Sequence, residues 1–388
     1  MFVSKEHHPQ VLPRQAYVDP EFFKNEIETF MMPSWHCVAT MAELPKNGSY
    51  LTLELFERPI ILWRKEEEVV GFLNVCPHRF AKLTSKDCGV CERLHCQYHG
   101  WEFDETGNVR KIPDAKTFRP LAQGMLGLKQ YRVERCGELI FVNLSEEGPS
   151  LQEFIGEKFA MYQEWFSPQM HTAITMTRTI NANWKCLVEN ALESYHTTTV
   201  HPQTFGEAPA EKDMRHTLEE NWTSMFVDYS EERSFRAALD KFGHFMVGRK
   251  PEGSYEHVLH YPNVMMARLS LYRWIECVIP VTPSQSLSVV RLLCHIGEPG
   301  QIRRAWNRFF VSKWANDFLS KVGAEDAKVV VQVHAGLSAP EEPMGGLIST
   351  REERIFHFQK YVERETGSGT PDGDREYSKF DFQETQHD

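Results

Sequence analysis

The chain has 388 residues, a formal net charge of -11, 41% hydrophobic residues and 25% charged residues. That composition fits a globular protein of more than one domain, and the negative balance argues against nucleic acid or an anionic membrane surface as the main partner. No stretch reads as a bilayer span, since the most apolar region, Val264 to Val281, is interrupted by Arg268, Arg273 and Glu276.

The first residues, Met1 to Pro13, are polar and include His7 and His8, so they do not read as a signal peptide; a reducing, cytoplasmic compartment is expected. From about Trp35 to Leu144 the sequence reads as short strands separated by turns. Tyr50-Leu-Thr-Leu-Glu-Leu alternates, Pro59-Ile-Ile-Leu-Trp is a compact apolar run, and Lys46-Asn-Gly and Glu105-Thr-Gly-Asn mark turns. An all-β unit bearing two inserted loops is expected there. His171 to Trp184 then reads as a strand, Lys185 to about His196 as a helix, and Trp222 to His295 as several long strands. Ile302 to about Leu337 reads as one or two helices interrupted near Gly323. A last helix is expected over Thr350 to Glu365, with Ser349 and Glu352 as a capping box and Ile355, Phe358 and Val362 on one face. Strands flanked by helices give an α+β class. The expected division is an N-terminal segment over residues 1–34 packing on the second domain, an all-β domain over 35–145, an α+β domain over 146–365 and a polar tail over 366–388.

Nine cysteines, spread from Cys37 to Cys294, are not a secreted disulfide framework. Cys37, Cys136, Cys186, Cys277 and Cys294 sit in apolar sequence and read as buried, inert thiols. The others cluster. Cys76-Pro-His78-Arg79 and Cys96-Gln-Tyr-His99-Gly-Trp101 make a C-x-H-x17-C-x2-H pattern. Two Cys/His pairs on separate loops suit a two-iron cluster in which thiolates hold one iron and imidazoles the other. Trp101 can cover such a cluster from water. The competing reading is a structural zinc built from Cys88, Cys91, Cys96 and His99, which would leave Cys76 and His78 unexplained.

A second constellation follows in Glu189-Asn190-Ala-Leu-Glu193-Ser-Tyr-His196-Thr-Thr-Thr-Val-His201-Pro202. Glu189, Glu193 and His196 have helical spacing and are expected to share a face. His201 stands five residues past His196, too far round for one continuous helix, and Pro202 forbids continuation. The helix is expected to end near His196, with a loop returning His201 to the same metal. Two histidines with one carboxylate bind ferrous iron, Fe(II), and leave open positions for O2. Asp326 is the first candidate for that carboxylate, with Glu325 and Asp317 behind it.

The two loops resemble those of Rieske non-haem iron oxygenases, the catalytic alpha subunits of the ring-hydroxylating superfamily. Respiratory-type Rieske proteins usually carry an extra, disulfide-bonded cysteine in each loop; here that place in the first loop is Ala81. The Leu-Glu-Ser-Tyr-His form of the second motif resembles the choline, glycine-betaine and carnitine monooxygenase branch. Where family members commonly carry Glu or Gln, this chain has Val331 and His334. The resemblance implies a Rieske [2Fe–2S] domain ahead of a catalytic domain of antiparallel sheet and helices, helix-grip or START-like. It implies cluster ligands Cys76, His78, Cys96 and His99, iron ligands His196, His201 and Asp326, and Glu193 bridging His99 of one subunit to His196 of its neighbour in a head-to-tail homotrimer. Asn190 would help shape the O2 pocket. Electrons would come from NAD(P)H through a separate flavin and [2Fe–2S] reductase, because no dinucleotide fold is legible; Gly367-Ser-Gly369 lacks a preceding strand. The implied reaction is hydroxylation or oxidative demethylation of a small quaternary ammonium or aromatic substrate, with ring dihydroxylation as the alternative. A Rieske electron carrier without catalysis is the reading from a different class.

Overall fold

The computed structural model describes residues 1–121, 124–204, 209–230, 235–297, 303–341 and 346–368. Two seven-stranded antiparallel sheets organise it. The first runs, in spatial order, His36–Thr40, Leu139–Asn143, Gln130–Cys136, Glu68–Leu73, Arg58–Lys65, Ser49–Leu55 and Cys88–Val90. Its alternating segments bury Ile60, Ile61, Leu62 and Trp63 completely, so both faces are covered. A small three-stranded sheet, Leu94–His95, Glu102–Phe103 and Val109–Lys111, carries the second Cys/His loop. Trp63, Phe72, Trp101 and Phe103 form a separate apolar core around Cys76 and Cys96.

The second sheet runs His171–Ile180, Gln285–Cys294, Tyr272–Thr282, Val264–Leu269, Ser254–His260, Trp222–Asp228 and Met214–Leu218. The helices Trp184–Ala191, Arg303–Leu337 and Glu353–Thr366 pack against it. One continuous core joins this sheet to the first, running from Trp35, Cys37 and Ile140 to Cys277 and Leu293. Arg291 crosses the junction, donating from Nε to Glu43 at 2.7 Å. The N-terminal residues tie to the far end of the chain. His8–Pro9 pairs with Leu347–Ile348, and the backbone N–H of Val3 and Ser4 donate to the Glu353 carboxylate at 2.9 and 2.6 Å. That anchorage, with His216, holds the Glu353 carboxyl down to about 2 against the cost of burial.

Five sequence expectations change. The strand from His171 stops at Ile180, and Asn183 caps the next helix by accepting from the Lys185 N–H. That helix ends at Ala191, not near His196, because the Glu193 carboxylate accepts the backbone N–H of Tyr195 and His196 and so starts a new turn. The stretch expected as a loop, Thr197–Val200, is that helical turn. The helix Arg303–Leu337 passes Gly323 without a break. A Cβ there would lie 1.6 Å from Arg178 Nη1, so the glycine serves close approach, and Arg178 donates to the Leu319 carbonyl at 3.0 Å. The span expected as strands from Trp222 to His295 also contains a helix, Phe235–Val247. The closing helix has the expected capping box at Ser349 and Glu352, followed by a short 3-10 turn, and buries Phe358 and Val362. The expected tail, from residue 369 onward, lies outside the described residues.

Candidate functional site

The two Cys/His loops have the same backbone form. In the first, Cys76 N–H donates to the Ala81 carbonyl at 2.8 Å and Phe80 N–H to the Cys76 carbonyl at 3.0 Å. In the second, Cys96 N–H donates to the Trp101 carbonyl at 2.8 Å and Gly100 N–H to the Cys96 carbonyl at 2.9 Å. The fifth residue of each knuckle is left-handed, Phe80 at φ 59° and Gly100 at φ 69°. Glycine adopts that conformation freely; Phe80 holds it at a cost of about 1 kcal/mol. The matched turns bring like ligands together. The Cys76 and Cys96 thiols touch, and burial, with the neighbouring thiol, pushes Cys76 up to about 11. The His78 and His99 rings lie 4.7 Å apart, and His78 stacks on Trp101 at 5.0 Å and 4°.

This arrangement pairs thiol with thiol and imidazole with imidazole, which suits two irons with unlike ligands, whereas a Cys2His2 zinc draws all four donors onto one point. Among the described residues the one group of three or more metal-ligating side chains whose donor atoms all converge within 4.8 Å is elsewhere. Cys88 is exposed on an edge strand opposite Leu51, which also speaks against the zinc set. His99 is exposed beside Tyr98, which is 57% exposed, Phe80 of the first loop is 79% exposed, and Trp101 is buried. The paired loops thus face solvent through one imidazole edge and exposed aromatic side chains. Cys37, Cys136, Cys186, Cys277 and Cys294 are all buried.

The converging group is His196, His201 and Asp326. His196 and His201 stand at the two ends of the single turn Thr197–Val200, which brings their rings to 5.3 Å. Asp326 comes from the long helix, its Oδ1 lying 2.8 Å from His201 Nε2 and 3.6 Å from His196 Nε2. Behind each imidazole stands a second carboxylate. Glu193 takes His196 Nδ1, and Glu325 takes His201 Nδ1 at 2.7 Å. A carboxylate only accepts, so each Nδ1 carries a proton and each Nε2 is left for a cation. Burial alone would lower His196; the hydrogen bond and charge of Glu193, then Asp326, outweigh it and raise the pKa. Two imidazole nitrogens and one carboxylate fit ferrous iron with open positions.

The remaining candidates fall outside the triad. Asp317 is exposed on the long helix, and Glu325 is a partner of His201 instead of a third donor. Asn190 is half-buried on the helix Trp184–Ala191, and its amide makes no hydrogen bond among the described residues. Glu189 does not share a site with Glu193 and His196. It turns the other way, accepting from Tyr17 and, at 2.8 Å, from Gln359. Next to it Lys185 and Glu26 form a fully buried ion pair at 2.7 Å, capped by Trp184 Nε1 at 3.0 Å. Tyr17, Gln359 and Glu26 carry no local motif, so sequence reasoning had no means of linking them to the helix that leads to the triad.

Comparisons with known proteins agree with this geometry. The Rieske [2Fe-2S] domain family matches residues 34–132, and the ring hydroxylating alpha subunit (catalytic domain) family matches residues 164–368. The chain is 25% identical over 348 residues to the glycine betaine monooxygenase oxygenase subunit of Chromohalobacter salexigens, covering 76% of this chain and 75% of that one. It is 29% identical over 229 residues to the carnitine monooxygenase oxygenase subunit of Escherichia coli, covering 58% of this chain and 61% of that one. In fold it resembles the quaternary ammonium Rieske monooxygenase CntA in complex with L-carnitine, with a TM-score of 0.73 at 21% identity over 92% of this chain and 96% of the other. It also resembles naphthalene 1,2-dioxygenase from Rhodococcus bound to indole, with a TM-score of 0.70 at 18% identity over 93% and 95% of the two chains.

Proposed function

The chain belongs to the ring-hydroxylating oxygenase alpha subunits, oxidoreductases that carry a Rieske [2Fe–2S] cluster and a mononuclear iron, and from that premise we propose how its residues divide the work. Residues 35–145 form the cluster domain and residues 146–365 the catalytic domain, with residues 1–34 fastened to the latter. Cys76 and Cys96 hold one cluster iron and His78 and His99 the other. His196, His201 and Asp326 hold the mononuclear Fe(II). When bound, the cluster supplies single electrons and the ferrous iron binds and activates O2. The carrying observation is the convergence of the three donors within 4.8 Å, with a carboxylate behind each imidazole.

The chain's own groups then act as follows. Glu193 and Glu325 fix the tautomers of the two iron histidines and aim their Nε2 atoms at one point. Trp101 keeps water from one side of the cluster. His99, at the exposed edge, would be the exit for the electron, and Glu193 would bridge a neighbouring subunit's cluster histidine to His196, giving a hydrogen-bonded route between the two sites. Exposed Phe80 and Tyr98 around His99, and Tyr195 at 65% exposure beside Glu193, give each half of that contact an apolar rim suited to a head-to-tail homotrimer. Asn190 borders the O2 approach. Alpha subunits of this family work with a reductase; here it is an NAD(P)H-dependent flavin and [2Fe–2S] protein. No helix among the described residues is long and apolar enough to cross a membrane, and the proposed compartment is the cytoplasm.

The reaction proposed is hydroxylation or oxidative demethylation of a small N-methylated ammonium compound, supported by the glycine betaine and carnitine relatives. Ring dihydroxylation is the second reading, favoured by similarity to the alpha subunit of 2-aminobenzenesulfonate 2,3-dioxygenase, 28% identical over 190 residues. A substrate screen with a surrogate reductase, read by product mass, decides between them. Iron and sulfide analysis should find two irons with acid-labile sulfide and one without. Absence of the sulfide-free iron overturns the catalytic reading and leaves an electron carrier.

A further inference from the structure

The strand Tyr272–Thr282 lies third in the catalytic sheet, between Val264–Leu269 and Gln285–Cys294. Its residues alternate between two faces. Ile275 and Cys277, on the face toward the cluster domain, are each 1% exposed. Trp274 and Glu276, on the face toward the long helix, are half-buried instead. Trp274 packs there with Ile174, Leu292, Ala315 and Leu319. Neither side chain lies at a sheet edge, and each keeps part of its surface on the face against which the long helix packs. Asp326 is close enough to act electrostatically on Glu276, which sets this part of the face beside the proposed iron.

Glu276 is an unusual residue for such a place. A carboxylate taken from water needs a compensating charge or a full set of hydrogen bonds. Among the described residues Glu276 has one hydrogen bond, from the Ser288 hydroxyl to Oε1, and no ion pair. Arg178, whose charge reaches it, is spent on the Leu319 carbonyl and wedged against Gly323. Burial, opposed by Ser288 and joined by the charge of Asp326, pushes the carboxyl up to about 7. Among the described residues this oriented acid thus has no cation in contact with it. Two residues along the same face, the Trp274 indole stacks on His257 at 5.7 Å and 30°. An indole face and a carboxylate at that spacing are what an ammonium bearing methyl groups takes, by cation–π attraction and by charge.

We propose that Glu276 determines substrate class by pairing with the cationic head of an N-methylated ammonium substrate, with Ser288 orienting it and Trp274 supplying an aromatic wall. This rests on the oxygenase reading above and deepens it. Glu276→Gln removes the charge and keeps the volume and the Ser288 contact. The test is titration calorimetry on the cluster- and iron-loaded protein with choline, glycine betaine and L-carnitine, each against an uncharged carbon isostere such as dimethylbutanol for choline. At least one ammonium should bind wild type more tightly than its isostere by about tenfold or more, an advantage that Glu276→Gln loses while isostere binding stays unchanged. Glu276→Asp should recover part of it. In turnover, Glu276→Gln should raise KM for the ammonium far more than it lowers kcat. Equal binding of ammonium and isostere by wild type, or unaltered ammonium binding by Glu276→Gln, overturns the proposal. If either occurs while the loaded protein oxidises an uncharged aromatic compound, the oxygenase reading stands and this inference alone falls. If the protein takes up neither sulfide-free iron nor O2, the oxygenase reading falls and this inference with it.

Discussion

The cluster loops draw their four candidate ligands from one stretch, residues 76–99, whereas the triad joins His196 and His201 to Asp326 across 125 residues. The loops are set by their own backbone hydrogen bonds, repeated bond for bond in each knuckle. The triad is set from outside: Glu193 and Glu325 stand behind its histidines, Arg178 and Gly323 seat the long helix, and the Glu189, Tyr17 and Gln359 contacts hold the helix that leads to it. A site built by local turns tolerates distant change and fails on its own residues. A site built by tertiary contacts is also open to graded damage from behind.

The largest effects should come from the ligands themselves. Cys76→Ala or His78→Ala should abolish the cluster's visible absorption and all turnover while the sulfide-free iron stays bound. His196→Ala, His201→Ala and Asp326→Ala should do the reverse, keeping the cluster spectrum and losing turnover to background. Iron and sulfide analysis with visible spectroscopy checks both sets. A variant in one set that empties both sites would break the separation between the two regions. Cys88→Ser, by contrast, should change neither, since its side chain is exposed on the edge strand.

The same contrast explains what could be read from the sequence. The C-x-H-x17-C-x2-H spacing is visible because each knuckle needs its residues in order. The His196 and His201 pair is legible too, but the spacing predicts a helix running to His196, whereas the helix ends at Ala191. The Glu193 side chain ends one helix and opens the turn that presents both rings, and a carboxylate capping its own neighbours leaves no periodic trace. Gly323 reads as a helix break because glycine weakens helices, yet its cause is the Arg178 guanidinium reaching the helix from the strand His171–Ile180. From the sequence Glu325 reads as an alternative ligand, while its place behind His201 depends on which side of a long helix faces the triad. Glu276 lay in plain view as an interruption of an apolar run. Only the sheet register sets it on the face that meets the catalytic helix.

Next in size is the loss expected from Glu193. If it links the two regions across a subunit contact, Glu193→Gln should keep both metals and the cluster colour, and the reductase should still bleach the cluster. Turnover should fall by about a hundredfold or more. Single-turnover reoxidation of the pre-reduced protein with substrate and O2 is the measurement. Reoxidation at the wild-type rate, with normal product, would make Glu193 a support for His196 only. Glu325→Gln should be milder. It leaves the three donors in place and removes the acceptor behind His201, so iron affinity should weaken by roughly 10- to 100-fold with the cluster unaffected. Chelator titration of the loaded protein reads this, and an unchanged affinity would show that His201 is held by its turn alone.

The smallest effect concerns the contacts behind the triad. Burial pushes the Glu189 carboxyl up to about 6 from an ordinary 4.5, although Tyr17, Gln359 and Lys185 all favour its charged form. A group raised on folding binds its proton more tightly in the folded chain than in the unfolded one. Its contribution to stability is therefore whole below pH 4.5 and fades as pH rises through about 6, where the folded state must ionise a buried acid. Glu189→Gln keeps an oxygen for Tyr17 and Gln359 and has nothing to ionise. Relative to this variant, wild type should lose up to about 2 kcal/mol between acid and neutral pH. Urea unfolding of both proteins at about pH 4 and about pH 8 gives the difference of differences. A gap that does not change with pH would mean that Glu189 stays charged throughout, paired more strongly with Lys185 than its place beside the Lys185–Glu26 ion pair indicates. No such pH term is expected from variants of the cluster loops that leave the ligands intact, because their shape rests on backbone hydrogen bonds that do not titrate.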